Sequence, residues 1–267
     1  MRNWQLWELA KIFLVAFSCC FILAKNSQAE ALPETLRKIK PSIVGVGTFM
    51  PSRSPRGVFL GTGFVIGKGR LVVTNAHVVT KLLDYEKREQ WAVFIANGNN
   101  PKAAIVERIA LDEEHDIAIL KLKEGVLPGL ILGEVSSVRE GELFAFTGYP
   151  IGMVLGLYPV THRGIISAIS PIAIPMVNST KLNNKLIRQL QRPYNVFQLD
   201  ATAYPGNSGS PLYNIQTGEV IGVINKVFVK ESKENVLSNP SGITYAIPIE
   251  HVKNLLSNKG LLSNKGL

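Results

Sequence analysis

The chain has 267 residues, a formal net charge of +9, 46% apolar and 18% charged residues. That balance excludes a disordered chain and leaves enough apolar side chain for a sizeable core, in one large all-β domain or two ordinary ones. The basic excess is spread along the chain apart from Lys181, Lys185, Arg188 and Arg192, which helical spacing would place on one solvated face, so no nucleic-acid partner is expected.

Residues 1–29 read as a secretory signal peptide. Ile12 to Ala24 is a run of apolar and small residues behind Arg2 and Lys11, and Ser27-Gln28-Ala29 offers a small-x-small cleavage site. The run is short for a membrane span. Kept uncleaved, the segment would be a membrane anchor, and membrane contact is expected only through it. Both cysteines, Cys19 and Cys20, lie inside it, so a form cut after Ala29 has none. An exported protein without disulfides rests on its core alone, which suits a bacterial envelope, periplasmic or extracellular.

Residues 30–256 read as one domain. A short helix is expected over Pro33 to Lys40, followed by apolar runs separated by glycine and polar turns. The first group of expected strands is Ile43 to Phe49, Phe59 to Ile66, Leu71 to Thr74, Trp91 to Ala96, Ala104 to Leu111 and Ile117 to Leu122. The second is Glu142 to Thr147, Gly164 to Ser170, Val196 to Asp200, Ser210 to Tyr213, Glu219 to Val229 and Ile243 to Ile249. Roughly twelve strands in two groups predict two β-barrels. Gly67-Lys68-Gly69 suits a hairpin turn. The polar stretches 50–58 and 230–242 are expected loops, and 171–193 is expected to carry a helical turn over Lys181 to Gln191. Ile249 to Leu256 reads as a closing helix. Leu255 to Gly260 is repeated as Leu261 to Gly266, and 257–267 is expected to be a frayed tail.

Three strings carry chemistry: Thr74-Asn75-Ala76-His77, Asp116-Ile117-Ala118-Ile119-Leu120 and Gly206-Asn207-Ser208-Gly209-Ser210. A serine hydroxyl attacks an amide at neutral pH only when a base takes its proton as the bond forms, a role His77 can fill for Ser208. A carboxylate holds such an imidazole in one tautomer and stabilises its charged form, and Asp116 stands where a strand enters the core. Glycine at 206 permits a sharp turn whose N–H groups, from Gly206 and Ser208 with Asn207 as a further donor, could converge on an oxyanion.

With Gly61-Thr62-Gly63-Phe64, Gly148-Tyr149-Pro150-Ile151-Gly152, Asp200-Ala201, Gly222-Val223-Ile224-Asn225 and Tyr245-Ala246-Ile247-Pro248, these strings make the chain resemble the HtrA/Deg serine proteases from about Pro41 to Leu256. The resemblance implies a trypsin-like fold of two six-stranded barrels with a cleft between them, and His77, Asp116 and Ser208 as the triad. It also implies protein or peptide substrates and no cofactor. Ser210 departs from the family's usual second glycine after the nucleophile. No C-terminal peptide-binding domain is expected here, and Asn207 in place of the aspartate of trypsin-type zymogens argues against activation by a new N-terminus. The competing expectation is a protease-like binding or chaperone module without catalysis.

The specificity pocket is expected to be lined by Thr202, Ala203, Ile224, Asn225 and Lys226. With no carboxylate at Thr202, a small or apolar side chain before the scissile bond is expected, or an acidic one if Lys226 points inward. Ser210, His115 and Asp200 are weaker alternatives for nucleophile, base and acid, and His162 and His251 read as surface or packing residues. No Cys, His and carboxylate cluster has ligand spacing, so no metal site is expected.

Overall fold

The structure is a computed structural model and describes residues 31–97, 100–150, 156–172, 193–225 and 243–261. Runs of β-branched residues, broken by polar turns, form twelve strands. The first six are β1 (Ile43–Phe49), β2 (Gly57–Ile66), β3 (Leu71–Thr74), β4 (Gln90–Ile95), β5 (Lys102–Asp112) and β6 (Ile117–Leu122). They close into an antiparallel barrel in the order β1-β2-β3-β6-β5-β4. The second six are β7 (Leu143–Gly148), β8 (Val160–Pro171), β9 (Asn195–Asp200), β10 (Pro211–Asn214), β11 (Val220–Asn225) and β12 (Ile243–Pro248), closed in the order β10-β11-β12-β9-β8-β7. Closure leaves no open sheet edge in either half.

Each barrel has its own filling. Val44, Val46, Val65, Val72, Val93 and Leu120 pack inside the first, and Phe146, Ile166, Phe197, Leu199, Leu212 and Ile224 inside the second. A larger cluster joins the halves, with Ile43, Phe64 and Ile119 meeting Tyr149, Tyr213 and Val223. Each fully buried aliphatic or aromatic side chain stabilises the fold by about 1.5–3 kcal/mol. Tyr149 is the polar tie within that seam: its hydroxyl donates to Ile43 O at 3.1 Å and its N–H donates to Thr62 Oγ1 at 3.0 Å. Burial raises the pKa of its phenol, so the hydroxyl remains a donor.

Residues 31–39 form helix α1, and Ile39 and Ile43 carry the chain into the seam. Helix α2 (Glu250–Asn258) buries Val252, Leu255 and Leu256 in the same cluster. Its end corrects the expected frayed tail from 257. Lys259 N and Gly260 N donate to Leu255 O and Ser257 O, Gly260 has φ +63°, and Leu261 packs against the core, so the first hexapeptide copy is a helix terminus.

Observed strands match the expected ones to within a few residues, β8 extending back to Val160; of the strand expected over Glu219 to Val229, β11 covers Val220–Asn225 and residues 226–229 lie outside the described residues. The expected signal peptide, the helical turn over 181–191, the loop 230–242 and the second hexapeptide beyond Leu261 lie outside the described residues. The loops 50–56 and 80–89 are held by one buried carboxylate. Glu89, 1% exposed, accepts from Thr48 Oγ1, Lys81 Nζ and Arg53 Nη1 at 2.7–2.8 Å and from Asp84 N at 3.2 Å.

Candidate active site

His77 sits on the single 3-10 turn Ala76–Val79 that follows β3, with Asn75 extended before it. Asp116 closes the turn from β5 into β6 and has φ +55°, a left-handed conformation that aspartate tolerates better than most residues. That turn aims the carboxylate back across β3. Asp116 Oδ1 accepts the His77 N–H at 2.9 Å, and Oδ2 faces His77 Nδ1 at 2.7 Å. The Asp116 carbonyl oxygen accepts from Ala76 N at 3.1 Å and from Asn75 Nδ2 at 3.0 Å.

A third donor comes from the other barrel, where Asn225 Nδ2, at the end of β11, donates to Asp116 Oδ2 at 2.8 Å. The carboxylate is thus almost wholly buried, 2% exposed, yet satisfied by three N–H groups. Hydrogen bonds to an ionised acceptor are about twice as strong as neutral ones. The geometry fixes the imidazole with Nδ1 bound to the acid, which leaves Nε2 as the nitrogen available to take a proton.

Ser208 lies between β9 and β10, in a turn that leans on the first barrel. Its carbonyl accepts Thr62 N at 2.8 Å, and Gly206 O accepts Thr62 Oγ1 at 2.7 Å. Thr74 Oγ1, at the end of β3, donates to Thr62 O at 2.7 Å, so one chain of bonds runs from the strand before His77 to the turn holding Ser208. The halves approach closely at Gly61, where a Cβ would stand 2.8 Å from Val78 Cγ2 and 3.0 Å from Ser208 O. Ser208 is 6% exposed and the His77 side chain 34%. Among the described residues no hydrogen bond joins Ser208 Oγ to His77 Nε2. Bonds of this kind are often long without a substrate and tighten once one is bound.

Gly206 has φ +100° and Gly209 φ +88°, the values that let the turn fold sharply around Ser208. The Asn207 N–H donates to Tyr204 O at 3.0 Å, which corrects its expected place as an oxyanion donor: that hydrogen is committed to the turn. Gly206 N and Ser208 N carry no such bond among the described residues. The Asn207 side chain is fully buried.

Two expected pocket residues have other surroundings. Ile224 is fully buried in the core of the second barrel, and Asn225 is 1% exposed with its amide on Asp116, so neither side chain lines an open pocket. Thr202 and Ala203 are half-buried on the approach to the turn, and Lys226 lies outside the described residues. Of the alternatives, Ser210 is wholly buried, and His162 stacks on Phe146 at 4.9 Å, its pKa lowered by burial. Thr62 and Asn75 stand in the strings Gly61-Thr62-Gly63-Phe64 and Thr74-Asn75-Ala76-His77, with no role of their own expected from sequence.

The model of the trypsin-like peptidase domain matches residues 61–223. A probable periplasmic serine endoprotease DegP-like from Halomonas elongata is 34% identical over 207 residues, covering 76% of this chain and 36% of that protein. Human serine protease HTRA4 is 30% identical over 227 residues, covering 83% and 40%. The chain thus spans about two fifths of the length of the curated relatives it matches. Among solved structures, the HtrA-type protease AlgW with tripeptide superposes with a TM-score of 0.61 at 24% identity, over 85% of this chain and 62% of that one, a likeness of fold.

Proposed function

The chain belongs to the trypsin-like peptidase family, in its HtrA branch, and from that premise we propose that it is a serine endopeptidase acting on protein or peptide chains through an acyl-enzyme at Ser208. The observation that carries the reading is the grip of Asp116 on His77, completed by Asn225 from the second barrel. Such a buried carboxylate stabilises an imidazolium as it forms.

In the first half-reaction Ser208 Oγ bonds to the scissile carbonyl carbon while His77 Nε2 takes its proton. The carbonyl oxygen gains the negative charge and is met by the N–H groups of Gly206 and Ser208, each such donor contributing about 3 kcal/mol. The C–N bond then breaks as His77 passes its proton to the leaving amine. Water, deprotonated by His77, attacks the ester, and the C–O bond to Ser208 breaks with the proton returned. No step calls for a cofactor. Thr202 and Ala203, with no carboxylate between them, support acceptance of a small or apolar side chain before the scissile bond. The leader-like residues 1–29 and the periplasmic naming of the Halomonas relative support action in an exported compartment of a bacterial envelope.

A fluorophosphonate probe is expected to label the protein, and the label is expected to vanish in Ser208→Ala and His77→Ala. Cleavage of denatured casein, mapped by mass spectrometry, would give the preference before the cut. Labelling that survives Ser208→Ala, or casein left intact by the unlabelled parent protein, removes this reading.

A further inference from the structure

Behind the Asp116 turn lies a second aspartate–histidine pair. Asp112, the last residue of β5, accepts the His115 N–H at Oδ1 at 3.0 Å and faces His115 Nδ1 at Oδ2 at 2.7 Å. This repeats the two-point grip that Asp116 takes on His77. Both grips belong to one turn, residues 112–116, and His115 is the direct neighbour of Asp116 in the chain.

The His115 ring stacks on the His251 ring, 3.9 Å between centroids and 21° between planes. Tyr194 closes the third side, 4.7 Å from His115 and 4.9 Å from His251. The three rings come from three places: the first barrel, the residue before β9 of the second, and the second residue of α2. They form a joint that fastens the outer side of the Asp116 turn to the rest of the molecule. Among the described residues no group of His, Cys, Asp and Glu could hold a metal ion, and the stacked rings turn their faces to each other.

Neither proton transfer nor oxyanion binding uses any of these groups. Filling space would account for the rings, but not for the Asp112 grip on His115 in the turn where Asp116 is held at φ +55°. A residue in a sparsely populated backbone region stays there only when its surroundings over-determine it. On the inner side those surroundings are His77, Asn75, Ala76 and Asn225. On the outer side they are Asp112 and His115, backed by His251.

We infer that Asp112, His115 and His251 are positioning residues for the Asp116 carboxylate, fixing the outer half of its turn so that Oδ2 stays aimed at His77 Nδ1. The inference rests on the reading of His77 and Asp116 as base and acid. The charges around the joint agree with it. Burial pushes the Asp112 carboxyl up, but the hydrogen bonds from His115 outweigh it and hold the carboxyl below its ordinary range. Burial, reinforced by His115 and opposed by Asp112, pushes His251 down to about 4, so its ring stacks uncharged at neutral pH. The other groups facing it are Tyr194 and, at 3.9 Å, the Glu250 carboxylate.

The test uses the whole chain with His115→Ala, His251→Ala and His251→Phe. Four quantities are read: kcat and KM on a peptide, the pH profile of kcat/KM, the low-field proton resonance of the His77 Nδ1–H, and thermal unfolding. His115→Ala and His251→Ala are expected to lower kcat roughly 10- to 100-fold with KM little changed, as displacement of a reacting group by about 1 Å would. A looser carboxylate stabilises the imidazolium less, so the acidic limb of the profile moves to lower pH and the low-field resonance broadens. His251→Phe keeps the ring face and is expected to stay within about 2-fold of the parent, because stacking needs no titrating nitrogen.

Lower thermal stability with kcat, the acidic limb and the resonance unchanged would reduce the joint to packing and overturn the inference, as would equal losses in His251→Phe and His251→Ala. If His115→Ala does not fold, His251→Ala leaves the bonds within the turn in place and carries the same test. If Ser208→Ala retains full activity, the peptidase reading falls instead, and the resonance, measured without turnover, still decides whether the joint aims Asp116.

Discussion

Asn225 and Asp116 meet across the seam between the barrels: Asn225 Nδ2 donates at 2.8 Å to the same oxygen, Oδ2, that faces His77 Nδ1 at 2.7 Å. One carboxylate oxygen therefore binds the base of one half to a strand of the other. A hydrogen bond to a charged group contributes roughly 1.5–3 kcal/mol. Asn225→Ala is expected to lower kcat by about 10-fold or more. Asn225→Asp would set a second carboxyl against Asp116 Oδ2, where two like charges cannot both ionise, so the pair keeps a proton and kcat is expected to fall at least as far as in Asn225→Ala. Parent-like kcat in either variant would mean that the contact does not reach His77.

Asp116→Asn separates charge from shape. Asparagine also tolerates the left-handed backbone at 116, so the fold is expected to survive. Its amide cannot stabilise the imidazolium, and kcat should fall on the order of 10⁴-fold. Circular dichroism matching the parent, alongside that loss, checks both halves of the prediction.

Glu89 sets an acid limit on stability. Burial pushes its carboxyl up, but Lys81, Thr48, Asp84 N–H and Arg53 together pull it from 4.5 down to about 2. The unfolded chain therefore binds the proton more readily between these values, and stability falls as pH drops from about 4.5 towards 2. Glu89→Gln is expected to cost roughly 2 kcal/mol at neutral pH. Urea titrations should show that difference constant above pH 5 and shrinking as pH falls towards 2.

Gly148 and Ser210 are packed against each other behind the nucleophile turn. A Cβ at 148 would stand 2.0 Å from Ser210 Oγ and 2.9 Å from Asn207 Oδ1. Gly148→Ala is expected to destabilise the protein by about 1–3 kcal/mol through overpacking and to slow labelling of Ser208. Ser210→Gly removes the nearest clash, so the double variant should regain much of both losses. Additive losses in the double variant would count against a direct contact.

Much of the barrel pattern was legible because each strand is a short apolar run closed by a turn signal, as at Leu71–Thr74 before Asn75 and Ile117–Leu122 after Asp116. His77 and Asp116 could be named together because the chemistry demands an imidazole and a carboxylate, each at a strand boundary. The role of Asn225 was not legible: its partner is 109 positions away, and alternation along β11 says which face a side chain takes without saying what waits there. Ile224 was misplaced for the same reason, since its face of the barrel is the filled one. The commitment of the Asn207 amide to Tyr204 depends on the local turn path, which the glycines permit without dictating.

The halves of this molecule leave the ribosome in sequence, and that order has a consequence. His77 and Asp116 belong to the barrel made first, while Ser208 and Asn225 arrive only with the strands of the second. A nascent chain that has folded only its first half therefore holds a histidine with no serine to deprotonate and an Asp116 carboxylate without its Asn225 donor. On the peptidase reading, the site is therefore complete only once β11 has been made and has brought Asn225 to Asp116.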